Sequence, residues 1–571
     1  MYILGVWDGH DSGAALVRDG EIVFASNEER YTKRKLEVAF PVNSIRAALR
    51  FEGIRPSDVD VVAFSTTELT KTISRMYPAQ KESYYRFRRR KMLRPRAEAL
   101  MHYSKYTMTS IGPLPLCKAI SKVCIASELR RMGFGSVKLR SVDHHVAHAA
   151  AAAFTSGMKD CLVITLDGTG DGMSGSVSTF ENGHLARKSA VLTRNSIGIF
   201  FEQVTNIVGM RELEDEGKVM AMADYSFPFS FEDNRLKGFF SVNGLEIRAK
   251  YGPARQYDML ARLAWSMPRE QFAYMAQQLL EHVVERFVSG ALGEYGMSSA
   301  SFAGGVMSNI KANMRVRMLD KLKQWYIFPH MGDGGIALGA ALSANYDITG
   351  RSSYRFDNAY LGDGYGDGHI ESLLRKEKAN GIDFCEEKRK GTHAAEIIEA
   401  NDYILWFQGR MEFGPRALGN RSILGNAGSD SVRDKLNTYV KQREWYQPFA
   451  PSMLAEEADR LLDDVKGRDR FMTMGYAAKP SMKEVMKSVV HVDMTARPQM
   501  VGDENMQYRD LLSGVRKRSG HGVVLNTSFN IHGMPIVASP EDAISTLKKT
   551  NSRYMFIGNF FVENNRYGSG R

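Results

Sequence analysis

The sequence has few cysteines and lacks any long hydrophobic run. Its 571 residues include four cysteines, and these show neither CxxC nor zinc-finger spacing. Such sparse usage predicts a reducing, cytoplasmic environment in which the thiols act as small buried hydrophobic groups. No uninterrupted apolar stretch approaches 18 residues, and no basic segment precedes the short apolar run at the N-terminus. We therefore expect neither a membrane span nor a secretory leader.

Acidic residues are outnumbered by basic ones, so that the formal net charge is +11. A length of 571 residues predicts two to four domains with ample core. Part of the excess charge lies in Arg86–Arg96 (RFRRRKMLRPR), beside Tyr84 and Tyr85. This run is typical either of a surface that grips nucleic acid or an anionic substrate, or of a solvated insertion helix. The helix is favoured, because the aromatic residues are few and no nucleic-acid fold signature accompanies them.

The run DHHVAHAAAAA at residues 143–153 predicts a helix, since alanine is the best helix former. His144 and His148 are four residues apart, so their imidazoles share one helical face. Asp167 follows the apolar strand of residues 161–166, and Asp333 stands at another helix start. Two histidines and two carboxylates are typical of a transition-metal site with open positions, and this ligand set accepts Fe(II), Mn(II) or Zn(II). The alternative is a helix whose histidines only cap or pack.

The pattern of strand, Asp-Gly turn and hairpin occurs twice, at residues 2–26 and 161–185. Asp-Gly between apolar runs is a strong hairpin signal. The duplication predicts an α/β fold of the actin/hexokinase type, in which two half-domains enclose a nucleotide cleft. Its tight turns supply backbone N–H groups to phosphates, and each aspartate holds a metal or orients a water. The run GDGMSG at residues 170–175 precedes a strand, which excludes a Rossmann site.

Three glycines and two polar residues are candidates for nucleotide contacts. Gly304 and Gly305 allow the backbone to approach a flat ligand, and the following helix places its N-terminus near phosphates. Gly168 belongs to the second Asp-Gly turn, and Asn309 closes the run AGGVMSN. Lys218, in EGKVMAMA, is either a ligand to a phosphate or to the transferred group, or an ordinary surface lysine.

The motifs, taken in order, resemble the O-carbamoyltransferases of nodulation and antibiotic tailoring. The segments that carry the resemblance are DGHDSGAAL, NEERYTKRK, DHHVAHA, LDGTGDG, EGKVMAMA, AGGVMSN and GDGGIALGAA. The first domain is similar to the universal threonylcarbamoyl-transferring protein of tRNA modification. The resemblance implies an N-terminal actin/hexokinase-like, duplicated domain over 1–355 and a C-terminal α/β domain over 356–571 similar to threonylcarbamoyl-adenylate synthase.

The C-terminal domain has its own set of basic and polar candidates. Arg416 and Arg421 lie in GRMEFGPRALGNRS, where glycines and a proline hold the loop. Arginine forks bidentately onto phosphate or carboxyl oxygens, although each arginine taken singly is more often a salt-bridge partner. The resembled synthase fold binds phosphate with a KxR and an SxN pattern. The corresponding positions here, with a further arginine at a family position, are Lys441, Arg443, Asn526, Ser528, Asn530 and Arg497.

The resemblance implies a reaction in two steps. The C-terminal domain converts ATP, with Mg²⁺, and carbamoyl phosphate into carbamoyl-adenylate, and the N-terminal domain transfers the carbamoyl group to a hydroxyl of a small-molecule acceptor. His10 is the implied general base. Iron is the metal that the family favours. The resemblance is compatible with a homodimer, and neither nucleic acid nor a membrane is an expected partner.

Three positions depart from the family pattern. Lys35 and Leu36 stand where a histidine follows the EER segment, Met494 replaces a usual glycine, and Met534 replaces a usual glutamate. Two other functions stay open. One is a kinase or ATP-binding switch of the actin/hexokinase type, which would not need the KxR and SxN residues. The other is a tRNA-modifying factor, which the basic run at residues 86–96 suggests.

Overall fold

The computed structural model describes residues 1–90, 107–442, 444 and 446–568. The chain divides into two compact units. Unit 1 comprises Met1–Glu28 and Leu36–Phe356, and unit 2 comprises Glu29–Lys35 and Asp357–Arg571. The division after Phe356 lies one residue from the expected boundary. The short helix α1 (Glu29–Thr32) belongs to unit 2 although it lies early in the chain, which the sequence pattern did not predict.

The first sheet of unit 1 has the strand order β3-β2-β1-β4-β5. Its strands are β1 (Tyr2–Trp7), β2 (Gly13–Arg18), β3 (Glu21–Asn27), β4 (Val61–Ser65) and β5 (Lys138–Val142). The first three strands pair antiparallel, while β1, β4 and β5 pair parallel. The turn Asp19-Gly20 joins β2 to β3. Both residues adopt the positive φ that a tight hairpin requires.

The second sheet of unit 1 repeats this topology, with the order β12-β11-β6-β7-β8. Its strands are β6 (Cys161–Gly170), β7 (Met173–Glu181), β8 (His184–Leu192), β11 (Ser299–Ala303) and β12 (Gln324–Ile327). The antiparallel triplet is again followed by two parallel strands. The predicted duplication is therefore confirmed, and the fold is the mixed α/β fold of the actin/hexokinase class. A separate hairpin consists of β9 (Phe240–Asn243) and β10 (Glu246–Ala249).

Helices cover both sheets of unit 1. They are α2 (Val42–Glu52), α3 (Leu69–Met76), α4 (Pro78–Arg88), α5 (Pro115–Arg131), α6 (His144–Thr155), α7 (Ile197–Ile207), α8 (Glu216–Ala223), α9 (Pro253–Ala264), α10 (Arg269–Tyr295), α11 (Ile310–Arg317) and α12 (Ile336–Thr349). The alanine-rich helices α6 and α12 pack against each other in the core, because small side chains allow close approach.

Unit 2 contains an eight-stranded mixed sheet with the order β13-β22-β21-β14-β15-β20-β16-β19. Its strands are β13 (Ile382–Glu386), β14 (Ile404–Phe407), β15 (Arg421–Asn426), β16 (Ala450–Leu454), β19 (Gln499–Val501), β20 (Val523–Ser528), β21 (Tyr554–Ile557) and β22 (Phe560–Asn564). A small ladder pairs β17 (Tyr476–Ala477) with β18 (Thr495–Ala496).

The helices of unit 2 are α13 (Asp367–Glu377), α14 (Lys390–Glu399), α15 (Asp430–Lys435), α16 (Ala458–Leu461), α17 (Lys483–Met486), α18 (Met506–Ser519) and α19 (Pro540–Lys549). Helices α14 and α18 pack on the sheet around Trp406 and Tyr508. Met494 has φ 62. Because this region favours glycine, the glycine usual in the family suits the backbone better than the methionine present here.

None of the helices in the described ranges is long and apolar enough to cross a membrane. All four cysteines are free thiols, and Cys117 and Cys161 are buried as expected. The basic run is described only as far as Arg90, and residues 91–96 lie outside the described residues. The solvated interpretation is wrong for Arg88, which is buried and paired with Glu202 and Glu212.

Candidate functional site

Helix α6 and the end of strand β6 carry three of the four predicted ligands of unit 1. The side chain of Asp143 caps α6 by accepting from Val146 N (3.0 Å), so the helix begins at His144. His144 and His148 are then one turn apart on the same face. Asp167 lies within β6, and Asp333 lies in the turn before α12. The four side chains thus lie on elements that are neighbours in the duplicated topology.

The four side chains converge on one point. His144 Nε2 lies 3.1 Å from Asp167 Oδ2 and 3.6 Å from Asp333 Oδ1. His148 Nε2 lies 3.8 Å and 3.5 Å from the same two oxygens. One atom from each residue falls within 4.8 Å of all the others, and all four residues are buried. This group is called the His-Asp cluster below.

The electrostatics of the His-Asp cluster favour a cation. Burial alone would lower the pKa of His144, but Asp333 and Asp167 raise it to about 9. The pKa of Asp167 is held well below its usual range, because the two imidazoles outweigh the cost of burying its charge. Two buried carboxylates thus require positive charge beside them, which a proton or a divalent metal supplies.

The donor set fits a transition metal. His148 Nε2 is buried and makes no hydrogen bond with any described residue, as expected of an atom reserved for a ligand. Two imidazole nitrogens and two carboxylate oxygens, with room for further ligands, suit Fe(II), Mn(II) or Zn(II). The arrangement does not discriminate among these three metals.

Asp167 is oriented by the turn that contains Gly304 and Gly305. Gly305 N donates to Asp167 Oδ1 (2.8 Å), which leaves Oδ2 to face the histidines. Gly304 has φ 99, and a Cβ there would lie 2.1 Å from Leu166 O. Only glycine therefore fits at this position. The N–H of Gly305, a predicted nucleotide contact, is occupied by Asp167.

The other nucleotide candidates of unit 1 have partners within the protein. The Asn309 side chain caps α11 by accepting from Ala312 N (3.0 Å), and it exchanges two hydrogen bonds with Gln277. Gly168 lies next to Glu202, whose Oε1 would be 2.8 Å from an added Cβ. Lys218 pairs with Asp215 (3.1 Å) in the first turn of α8. Its partner is therefore the carboxylate that directly precedes the helix, and the Lys218 side chain is only 13% exposed, unlike that of an ordinary surface lysine.

His10 lies beside the His-Asp cluster. Its Nδ1 is 3.5 Å from Asp333 Oδ2, and its ring centroid is 5.8 Å from that of Tyr85 on α4. Burial lowers the pKa of His10, and the positive charge of Arg89 adds to this, although Asp333 opposes it. The imidazole is therefore held in the neutral form that accepts a proton.

In unit 2 the predicted lysine and the SxN residues lie together. Residues Leu436–Lys441 form a π-helical turn, a geometry that is frequent at functional sites. Lys441 Nζ, at the end of this turn, donates to Asn530 Oδ1 (2.6 Å) and to Ser528 O. Ser528 Oγ in turn donates to Asn530 Oδ1 (2.7 Å). A buried ammonium is thus fixed at the end of β20.

Two arginines of unit 2 lie close enough for their like charges to interact. Burial lowers the pKa of Arg416 well below its usual range, and the like charge of Arg497 lowers it further. Burial also lowers the pKa of Arg497 to about 10, against the opposing effect of Asp469. The Nε atoms of Arg416 and Arg497 are buried and find no acceptor among the described residues. An anion bound near the two guanidinium groups would offset the cost of burying them and their mutual repulsion.

Arg421 and Asn526 have structural roles instead. Arg421 is fully buried, and its Nη atoms donate to the carbonyl oxygens of residues 363, 408, 409 and 420. Its guanidinium also lies 3.6 Å from the ring centroid of Phe407. Asn526 donates to Ala417 O (3.1 Å) and Ser452 Oγ (2.8 Å). Both residues therefore shape the Arg416 loop, while Arg443 lies outside the described residues.

Sequence reasoning missed the residues that hold this loop. The buried carboxylate of Glu412 accepts from the backbone N–H groups of Leu418, Asn420 and Arg421 (2.8–3.0 Å). Arg30, from the early segment of unit 2, donates to Gly414 O (2.7 Å). The motif NEERYTKRK marked the segment, but nothing local in it indicates a partner almost 400 residues away.

Comparison with known proteins identifies the same two regions. The family described as "Carbamoyltransferase N-terminus" matches residues 2–342, and "Carbamoyltransferase C-terminus" matches 395–564. Nodulation protein NolNO of Sinorhizobium fredii is 30% identical over 97% of this chain and 79% of its own length. The 3′-hydroxymethylcephem-O-carbamoyltransferase of Streptomyces clavuligerus is 29% identical over 61% of this chain and 65% of its own. A crystal structure of HypF from T. kodakarensis covers 61% of this chain and 48% of its own at 14% identity, with a TM-score of 0.36.

Proposed function

We propose that this chain, an enzyme of the carbamoyltransferase family, is an ATP-dependent O-carbamoyltransferase that works through carbamoyl-adenylate. The observation that carries the proposal is that Arg416 and Arg497, in unit 2, have buried Nε atoms without an acceptor among the described residues. Two like-charged guanidinium groups with buried Nε atoms are costly unless an anion binds to them. Carbamoyl phosphate and the phosphates of ATP are anions of the required kind.

The chemistry assigned to unit 2 is activation. Carbamate is a poor electrophile until it has a good leaving group, and an adenylate provides one. Water first hydrolyses carbamoyl phosphate to carbamate and inorganic phosphate. A carbamate oxygen then bonds to the α-phosphorus of ATP, and pyrophosphate leaves. Arg416, Arg497 and Lys441 neutralise the charge of these groups. Ser528 and Asn530 hold the ammonium of Lys441 in place.

The chemistry assigned to unit 1 is transfer to a hydroxyl. The His-Asp cluster is the proposed metal site, where His144, His148, Asp167 and Asp333 would hold a divalent metal that would polarise oxygen atoms of the reacting group. His10, neutral and beside Asp333, accepts the proton of the acceptor hydroxyl. The alkoxide character that develops on the acceptor oxygen then allows attack on the carbamoyl carbon, and AMP leaves. The acceptor is a small molecule with a hydroxyl group.

The test separates the two steps. The purified protein is mixed with Mg²⁺, ATP and carbamoyl phosphate without acceptor, and pyrophosphate and carbamoyl-adenylate are measured, the latter by mass spectrometry. We expect both products from the parent protein and from His144→Ala, and neither from Arg416→Ala. Hydrolysis of ATP to ADP without adenylate would refute the proposal and favour the kinase-like alternative.

Arg410 provides a matched control. It lies in the same loop as Arg416, but its guanidinium donates to backbone carbonyls of residues 361 and 362. The substitution Arg410→Lys should therefore leave adenylate formation within a few-fold of the parent rate. A loss equal to that of Arg416→Ala would show that the assay reports only the integrity of the loop.

A further inference from the structure

Thr66, directly after β4, has a strained backbone. Its φ is 67, in the left-handed region. For a β-branched residue this conformation is a genuine outlier, so the backbone is strained here. Glycine would remove the strain, and the neighbouring turns of this protein use glycine freely. The threonine side chain must therefore have a role that offsets the strain.

The Thr66 hydroxyl contacts a residue of the His-Asp cluster. Thr66 Oγ1 lies 3.0 Å from His144 Nδ1, and both residues are buried. The opposite ring nitrogen, Nε2, faces Asp167 and Asp333. When Nδ1–H donates to the hydroxyl, Nε2 keeps the lone pair that a metal requires. The partner of the second nitrogen thus decides both the tautomer and the ring orientation.

Two charged side chains hold Thr66 in this conformation. Arg75 Nη1 donates to Thr66 O (2.7 Å), and its Nη2 donates to Ser65 O (2.8 Å). The Asp171 carboxylate accepts from Thr67 N (2.9 Å) on one oxygen and from His144 N (2.8 Å) on the other. One carboxylate therefore ties the strained turn to the start of α6. The distance between Thr66 and His144 is set by this arrangement.

We propose that Thr66 is a positioning residue for metal binding, one that fixes the tautomer and orientation of His144 at the expense of backbone strain. The inference rests on the proposed function only in taking the His-Asp cluster as the metal site. Thr165 offers a natural comparison, because its hydroxyl bonds the Nδ1 of His145 (2.8 Å), a histidine outside the cluster.

The experiment measures metal affinity rather than activity. Apo-protein is titrated anaerobically with Co(II), followed by its visible absorption and by competition with a chelator of known affinity. Thr66→Val keeps the shape of the side chain and loses the acceptor, so we expect Co(II) to bind about 10–100-fold more weakly. Thr66→Ser loses only a methyl group and keeps the hydroxyl, so it should bind Co(II) within about threefold of the parent affinity.

Two further variants exclude a general effect on folding. Thr66→Gly relieves the strain and lacks the hydroxyl, so it should bind Co(II) as weakly as Thr66→Val while its melting temperature does not fall. Thr165→Val removes the comparable bond to His145 and should leave Co(II) affinity within about threefold. Equal affinity of Thr66→Val and the parent would overturn the inference.

The outcome for the metal is separable from the outcome for the reaction. A parent protein that forms carbamoyl-adenylate but binds no Co(II) would refute the role of Thr66 and leave the adenylation proposal intact. A protein that forms no adenylate, but whose Co(II) affinity depends on the Thr66 hydroxyl, would refute the proposed function and support the positioning role.

Discussion

The carboxylate of Asp8 is bound bidentately by the Nε–Nη2 edge of the Arg75 guanidinium, with Nε–Oδ2 and Nη2–Oδ1 distances of 2.9 Å. Lys71 adds a third contact at 2.9 Å. Asp8 directly follows β1 in one sheet and Asp167 lies near the end of β6 in the other, but only Asp167 joins the His-Asp cluster. The expectation that each Asp-Gly turn holds a metal or orients a water is therefore not met at Asp8, whose charge is balanced by helix α3.

The Asp8–Arg75 pair should be important for stability. Removing one partner of a buried ion pair leaves an uncompensated charge, so we expect Arg75→Gln to lower the free energy of unfolding of unit 1 by about 3 kcal/mol. Denaturant titration followed by circular dichroism measures this change. In a double-mutant cycle with Asp8→Asn, the two substitutions should be far from additive, and additive effects would contradict a direct pairing.

At Arg416, loss of the side chain should impair the reaction without lowering stability. Arg416→Ala removes a repulsion, so the free energy of unfolding should stay equal or rise by about 1 kcal/mol, while pyrophosphate release falls at least about 100-fold. Inorganic phosphate or pyrophosphate should raise the melting temperature of the parent but not of Arg416→Ala. Thermal shift with added phosphate measures this, and an equal shift in both proteins would locate the anion elsewhere.

Arg421 should behave as a structural residue. Its buried guanidinium donates to several main-chain carbonyls, and Arg421→Ala removes the hydrogen bonds to the carbonyl oxygens of residues 408, 409 and 420. We expect a loss of about 3 kcal/mol in the free energy of unfolding. Phosphate should stabilise whatever folded protein remains by the same increment as in the parent. A variant that is as stable as the parent but has lost only its response to phosphate would instead make Arg421 a ligand.

Glu216 should make stability depend on pH. Burial, with the nearby charges of Glu202 and Glu212, raises the pKa of Glu216 to about 8, whereas the unfolded chain titrates near 4.5. Between these values the folded state holds a proton that the unfolded state has released. Its free energy of unfolding should therefore fall as pH rises from about 4.5 to about 8. Glu216→Gln should remove this slope in denaturant titrations across that range, and an unchanged slope would assign it to other groups.

Local patterns were sufficient for much of the fold. The hairpin turns Asp19-Gly20 and Asn182-Gly183, the alanine-rich helix from His144 and the buried strand before Asp167 are each encoded within about ten residues. Their periodicity and turn residues act before any distant contact forms. The duplication could therefore be predicted, whereas the transfer of the segment Glu29–Lys35 to unit 2 could not, because its partners Gly414 and Asp363 are far away in sequence.

The sequence by itself determined the repeated strand–turn–hairpin pattern and the one-turn spacing of His144 and His148, because both follow from short-range geometry of helices and hairpins. Tertiary structure alone decided which polar side chains have internal partners. Asp8 is paired with Arg75, Arg421 with main-chain carbonyls and Asn309 with Gln277, whereas Arg416 and Arg497 keep buried Nε atoms without an acceptor within the described ranges. The physical reason is that desolvation and pairing depend on residues brought together from distant parts of the chain, which periodicity does not record.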